Sequence, residues 1–339
     1  MISAEFFYNK LRTINPGCCV HNYTISKCEE FVPLINRIND LKKEKNAVIL
    51  AHSYVNPEIV YGVADFIGDS YGLSKDAKNT DADIIVFAAV KFMAETAKIL
   101  NPEKEVLVPS EYNGCSLADS VTAQDVISLR KQYPGYAFIC YINTNAEVKA
   151  ECDVCVTSSN VYNVIRKYPS DKIFFLPDRL MGLNIIEEMT RRGVKKDIKL
   201  WSGTCYVHED YKHEMIYQMK FQFDNLKVLA HPECSPEVLN QSDFVGSTSQ
   251  ILKYMETASS EDAYLMLTEC GITSRLQVEM PEKKIVGSCT LCKYMRSNTL
   301  EDILRVIEYP QDEDRIVLDE NVRLKALSCV EAMFEYAEK

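Results

Sequence analysis

Residues 51–70 read AHSYVNPEIVYGVADFIGDS, residues 140–160 read CYINTNAEVKAECDVCVTSSN, and residues 230–250 read AHPECSPEVLNQSDFVGSTSQ. These stretches are three versions of one pattern. His52, Tyr141 and His231 lie 89 and 90 residues apart, and Glu58, Glu147 and Glu237 keep the same offsets. Asp65, Asp153 and Asp243, like Ser70, Ser158 and Thr248, are spaced 88 and 90. Four registers held together over about twenty residues mark an internal repeat, and a fixed period decides the architecture before any single element does.

Working outward, each copy alternates strand and helix. Short apolar runs open the units at 48–51 (VILA), 138–142 (FICYI) and 227–230 (KVLA). Second runs follow at DFIG, DVCV and DFVG. Third runs are DIIVF (83–87), IFFL (173–176) and AYLML (263–267), and fourth runs are VLVP (106–109), KLW (199–201) and KIVG (284–287). Continuous apolar strands separated by helices predict parallel sheets covered on both faces. The expected fold is α/β, with three homologous αβα units of short parallel sheets around a pseudo-threefold axis and a central site. The units are placed at residues 1–122, 123–212 and 213–314. A helix is expected at about 27–45, and a closing segment at 315–339, helical over 320–337, is expected to pack on the first unit.

Composition limits the function. Of 339 residues, 47% are hydrophobic and 26% charged, the balance of a folded globular protein. No apolar run reaches the roughly 18 residues of a membrane helix. The opening MISAEFFYNKLRTINP lacks the apolar centre of a secretion signal, so a cytoplasmic location is expected. A net charge of −11 disfavours nucleic acid or an anionic membrane as partner. Thirteen cysteines, an odd number in a long chain, point to reduced thiols rather than a disulfide framework.

Ligands of parallel α/β sheets bind at the carboxyl ends of the strands. The first strands end in His52 and Tyr54, Tyr141 and Asn143, and His231 and Glu233. Threefold placement converges these six side chains on one cavity. The second strands end in Ser70, Ser158 and Thr248, each expected at a helix start, where free N–H groups favour an anion. No glycine-rich phosphate loop is present. Lys91, Arg179, Lys253 and Arg275 are candidate cations for anionic ligands, with an ordinary surface role as the simpler reading.

The cysteines then sort by repeat. After each fourth strand comes a loop with Cys115, Cys205, or Cys289 and Cys292; Cys292 fits the period better. Three converging thiolates without a fourth suggest a [4Fe–4S] cluster with one iron open to substrate, since fully protein-bound clusters take four cysteines. Zinc with three ligands and an open position is the rival. Cys152 and Cys155 fall opposite packing positions of the other repeats and read as core thiols. Cys289 is placed to pair oxidatively with Cys292. Cys234 stands beside Glu233, either near the cavity or in the core. Cys18, Cys19, Cys28, Cys140, Cys270 and Cys329 receive no function.

The stretches AHSYVNPEI, ADFIGDSYGLS, FMAETAKILNPEKEVLVP, GCSLADS, YINTNAEVKA, WSGTCYVHE, AHPECSPEV, DFVGSTSQILKY, TECGITSRL and CKYMRSNTLE run in order from about 48 to 306. In these the chain resembles the quinolinate synthase family. The resemblance implies a transferase of NAD biosynthesis that condenses iminoaspartate with dihydroxyacetone phosphate to quinolinate, phosphate and two waters. It implies a [4Fe–4S] cluster on Cys115, Cys205 and Cys292. It places iminoaspartate at His52, Ser70, Tyr141, Asn143, Ser158, His231, Glu233 and Thr248, with Tyr54, Glu233 and His231 as the proton-transfer set. Lys293 departs from the proline common after the third ligand. A transient partner supplying iminoaspartate is an accompanying expectation. The alternatives are another [4Fe–4S] hydro-lyase on the same scaffold, or a redox- or metal-sensing regulator.

Overall fold

The computed structural model describes residues 1–18, 20–287 and 289–338; Cys19 and Lys339, the end of the expected closing segment, lie outside the described residues. Two helices come first, α1 (Ala4–Leu11) and α2 (Ile25–Glu44), with Thr24 capping α2 by accepting from Lys27 N. The first unit is β1 (Ala47–His52), α3 (Pro57–Gly62), β2 (Phe66–Gly68), α4 (Ser70–Asn79), β3 (Ile84–Ala88), α5 (Lys91–Leu100) and β4 (Glu105–Leu107). The second is α6 (Ala123–Gln132), β5 (Ala137–Tyr141), α7 (Ala146–Ala150), β6 (Val154–Val156), α8 (Val161–Lys167), β7 (Lys172–Leu176), α9 (Arg179–Arg191) and β8 (Asp197–Leu200). The second ends in α10 (Tyr206–Glu209), and the third runs through α11 (His213–Gln222), β9 (Leu226–Ala230), α12 (Pro236–Leu239), β10 (Phe244–Val245), α13 (Thr248–Thr257), β11 (Ala263–Leu267), α14 (Gly271–Glu279) and β12 (Lys284–Val286). The chain closes with α15 (Lys293–Arg296), α16 (Leu300–Glu308) and α17 (Glu320–Glu338).

Each unit holds one four-stranded parallel sheet with helices packed on it, and the strand order is the same in all three: second, first, third, fourth. The three units are thus αβα copies, as the repeat predicts. The repeated aspartate has a structural reason. Asp65, Asp153 and Asp243 each donate N–H to the first strand of their own unit and accept its N–H in return. The side-chain bonds run from Ile49 N at 2.8 Å, Phe138 N at 2.6 Å and Val228 N at 2.9 Å. One residue therefore clamps the entry of the first strand in every copy. The repeated Glu58, Glu147 and Glu237 all sit in the first turn of a short helix, where the dipole favours an acid.

Two expectations are corrected. The segment after β6 does not start a helix at Ser158. Asn160 turns its amide back to Thr157 N at 2.8 Å, so α8 begins only at Val161. The closing helix also does not cover the first unit alone. It lies across α7, β6 and α8 of the second unit and touches α5 of the first. Phe334 meets Tyr71, Tyr336 meets Tyr168, and the Cys329 sulfur lies 3.7 Å from that of Cys140. Among the described residues, no helix is long and apolar enough to cross a membrane.

Candidate active site

The loops at the strand ends of all three sheets open on one cavity. His52, Tyr54, Ser70, Tyr141, Asn143, Ser158, His231, Glu233 and Thr248 line it, together with Cys115, Cys205 and Cys292. The strand-end, helix-start and loop-cysteine candidates of the sequence reading are therefore in one place. Lys91, Arg179, Lys253 and Arg275 are not among the lining residues. Arg275 is instead held by Glu279 at 3.0 Å and Ser53 at 2.8 Å.

The repeat builds matching parts. Tyr54 N donates to His52 Nδ1 at 3.2 Å, and Glu233 N donates to His231 Nδ1 at 3.4 Å. A ring whose Nδ1 accepts carries its proton on Nε2 when neutral. Burial lowers His52 to about 4 and His231 to about 3, so both rings are neutral hydrogen-bond donors near pH 7. The helix starts match as well. Asp69 caps α4 at Gly72 N, Ser247 caps α13 at Gln250 N, and the Ser247 hydroxyl donates to Asp69 at 3.1 Å, tying the two ends together. Ser70 and Thr248 are the first residues of those helices, beside backbone N–H groups without intrahelical partners.

Tyr54 reaches across units. Its hydroxyl lies 2.7 Å from Thr248 Oγ1 and 2.9 Å from Thr268 Oγ1, and burial pushes its ionisation well above the ordinary value. Glu233 is 2% exposed. Burial alone would raise its carboxyl, but the ring of His208, 2.6 Å from its Oε2, and a hydrogen bond from Tyr141 bring it down to about 2. Glu233 is thus an ionised, enclosed carboxylate, and Tyr141 is hydrogen-bonded to it.

The three thiols also share a build. Cys115, Cys205 and Cys292 each accept, at the backbone carbonyl, the N–H four residues on: Asp119 at 2.8 Å, Glu209 at 2.9 Å and Arg296 at 3.0 Å. This equivalence selects Cys292 over Cys289 in the third unit. Cys289 is disulfide-bonded to Cys270, not to Cys292, with Cα atoms 5.3 Å apart. The reason is local pairing: Cys270 N donates to Thr290 O, which lays the Cys289 loop against the start of α14. Cys152 and Cys155 are buried thiols, and Cys234 is fully buried, donating to Leu267 O.

The donor chemistry fits a cluster. Burial drives up all three thiols, Cys115 to about 12, and neighbouring negative groups add to it: Cys292 on Cys115, Glu233 and Cys115 on Cys205, and Glu269 on Cys292. A set of thiolates there calls for a strongly cationic group. The spacing does not suit a single zinc held by all three thiols. A single zinc at about 2.3 Å from each sulfur needs sulfurs about 3.8 Å apart. The three cavity sulfurs are not all within 4.8 Å of one another; among the described residues the one group that compact is Cys205, His208 and Glu233.

Comparison with known proteins now bears on the site. The profile of a family described as Quinolinate synthetase A protein matches residues 36–335. The chain belongs to the quinolinate synthase family. It is 43% identical over 310 residues to the quinolinate synthase of Rippkaea orientalis, covering 89% of this chain and 93% of that one. Identity is 43% over 325 residues to the quinolinate synthase of Prosthecochloris aestuarii, covering 93% and 98%. It is 39% over 321 residues to that of Caulobacter vibrioides, covering 93% and 85%.

Within this quinolinate synthase-family chain, sequence reasoning missed His208 and Glu269. His208 stacks on His231 with ring centres 4.6 Å apart, sits 3.3 Å from Cys205 Sγ and holds Glu233. Glu269 lines the cavity and accepts from Cys292 N at 3.0 Å and Arg296 Nε at 3.3 Å. His208 stands three residues after Cys205, and its counterparts in the other loops are Ala118 and Met295, so the repeat gave no signal for it.

Proposed function

We propose that the protein is a quinolinate synthase of NAD biosynthesis, a transferase joining iminoaspartate and dihydroxyacetone phosphate to give quinolinate, phosphate and two waters. The observation that supports this best is the convergence of three equivalent loop thiols and nine strand-end and helix-start side chains on one cavity. Cys115, Cys205 and Cys292 would hold a [4Fe–4S] cluster, which when bound supplies a Lewis-acidic iron for the dehydration chemistry.

The chain's own residues account for the rest. Among the described residues, no lysine or arginine lines the cavity. The carboxylates of iminoaspartate are instead met by neutral donors: the Nε2–H groups of His52 and His231, the Asn143 amide, the Ser70, Ser158 and Thr248 hydroxyls, and the N-termini of α4 and α13. Glu233 accepts protons and Tyr54 returns them through its bonded hydroxyl. Glu233 is ionised, and Tyr54 is protonated, so the two begin in complementary states. A cavity recessed between the three units limits the water that reaches a hydrolysis-prone imine. The site is read as acting in the cytoplasm on small molecules.

A second reading has one observation in its favour. Cys205, His208 and Glu233 are close enough to hold a single metal ion, which would make the enzyme a mononuclear metal catalyst. Anaerobic purification followed by incubation with both substrates separates the two. Quinolinate formed by iron- and sulfide-containing protein supports the proposal; zinc-containing protein with the same product supports the second reading; no product from either form refutes both.

A further inference from the structure

The turn bearing Asn143 lies between β5, which ends at Tyr141, and α7, a helix of five residues. So short a helix cannot satisfy its own ends, because the first N–H groups of any helix lack intrahelical partners. Asn145 caps Val148 N at 2.9 Å, and two charged side chains outside the cavity lining secure the rest, one accepting from the helix start and one donating to the carbonyls of the turn.

Lys149 is fully buried, and its Nζ donates to Ile142 O at 2.9 Å and to Thr144 O, the carbonyls on either side of Asn143. Glu95 comes from α5 of the first unit, is 7% exposed, and accepts from Ala146 N at 2.8 Å. Lys149 Nζ also lies 5.6 Å from the ring centre of Phe92, which is cavity wall. Burying an ammonium and a carboxylate is costly unless each is well bonded. An apolar side chain would fill the same space at less cost, so their presence is tied to what they hold.

We propose that Lys149 and Glu95 are positioning residues that fix the Ile142–Thr144 turn so that the Asn143 amide faces a bound dicarboxylate. This rests on the reading of Asn143 as a dicarboxylate contact. Lys149 acts on the carbonyls flanking Asn143, and Glu95 acts on the first N–H of α7. Neither touches the substrate, so their effect passes through Asn143.

The test is malate, an inert four-carbon dicarboxylate, titrated into the cluster-loaded protein by calorimetry, with kcat and KM alongside. K149M keeps the stem and removes the donors. Its malate affinity should fall about tenfold, the order of one misplaced hydrogen bond. KM for the dicarboxylate substrate should rise more than kcat falls. In an N143A background K149M should cost nothing further, because the two act on one contact. Unchanged affinity in K149M, or losses that multiply in the double variant, would overturn the proposal. Where K149M does not fold, E95L and E95Q decide. E95L should weaken malate and E95Q, which keeps an acceptor oxygen, should recover most of that loss; equal affinities contradict the proposal. Wild-type protein that ignores malate also contradicts it. Malate binding that falls as expected in a protein making no quinolinate would refute the function and leave the positioning role standing.

Discussion

Two sets of thiols in this chain have opposite surroundings. Cys115, Cys205 and Cys292 are half-buried, stand on loops after the fourth strands and line the cavity. Cys140, Cys152, Cys155 and Cys329 are buried between β5, β6 and α17. Cys140 sits opposite Cys155 in the sheet and 3.7 Å from Cys329. The next residue after Cys140 is Tyr141, which lines the cavity. Strand alternation alone separates them, since successive side chains point to opposite faces. Cysteine identity therefore says little about role here. Position in the repeat says most: the first set recurs once per unit, and the second does not.

The largest expected effect breaks the first set. Replacing any of Cys115, Cys205 or Cys292 with alanine should abolish both bound iron and quinolinate formation while the fold survives, checked by iron analysis and circular dichroism. A variant that keeps its full iron content would remove that cysteine from the ligand set. Next is E233Q. It should keep its iron and lose on the order of 10²–10⁴-fold in kcat, the usual weight of a general acid–base group. A turnover equal to wild type would exclude Glu233 from proton transfer.

A pH effect follows from His52. Burial lowers the folded-state value to about 4, against about 6.5 for an exposed ring. A lowered value means that its contribution to stability is complete above pH 6.5 and is lost as pH falls toward 4. Between pH 7 and pH 5 that loss is about 2 kcal/mol. Urea unfolding of wild type and H52N at both pH values should show the wild type losing about that much more. Equal losses would mean that the ring is charged in the folded protein. The smallest effect belongs to the second thiol set. C155A should lower stability by about 1–2 kcal/mol through the space it leaves and leave iron content unchanged. Iron lost from C155A would erase the distinction between the two sets.

Much of this was legible in the sequence because the fold repeats. The aspartate clamps, the strand ends and the loop cysteines recur, so one copy interprets another. What does not recur was hidden. His208 has Ala118 and Met295 for counterparts. Glu269 depends on how the Cys292 loop folds back onto α14. The Cys270–Cys289 bond joins segments whose proximity comes from backbone pairing between the end of β11 and a loop. The placement of α17 across two units is set by side chains such as Phe334 and Cys329, whose partners lie far away in the chain. The late start of α8 turns on one amide, Asn160, reaching back to Thr157.

The central claim is that three thiols, one from each repeat, hold an iron–sulfur cluster in the shared cavity. Iron and acid-labile sulfide counted per chain in anaerobically purified protein test it directly. The account predicts about four of each, as in one [4Fe–4S] cluster, falling to background when Cys115, Cys205 and Cys292 are replaced together. A single zinc or iron per chain without sulfide, retained in that triple variant, would contradict it.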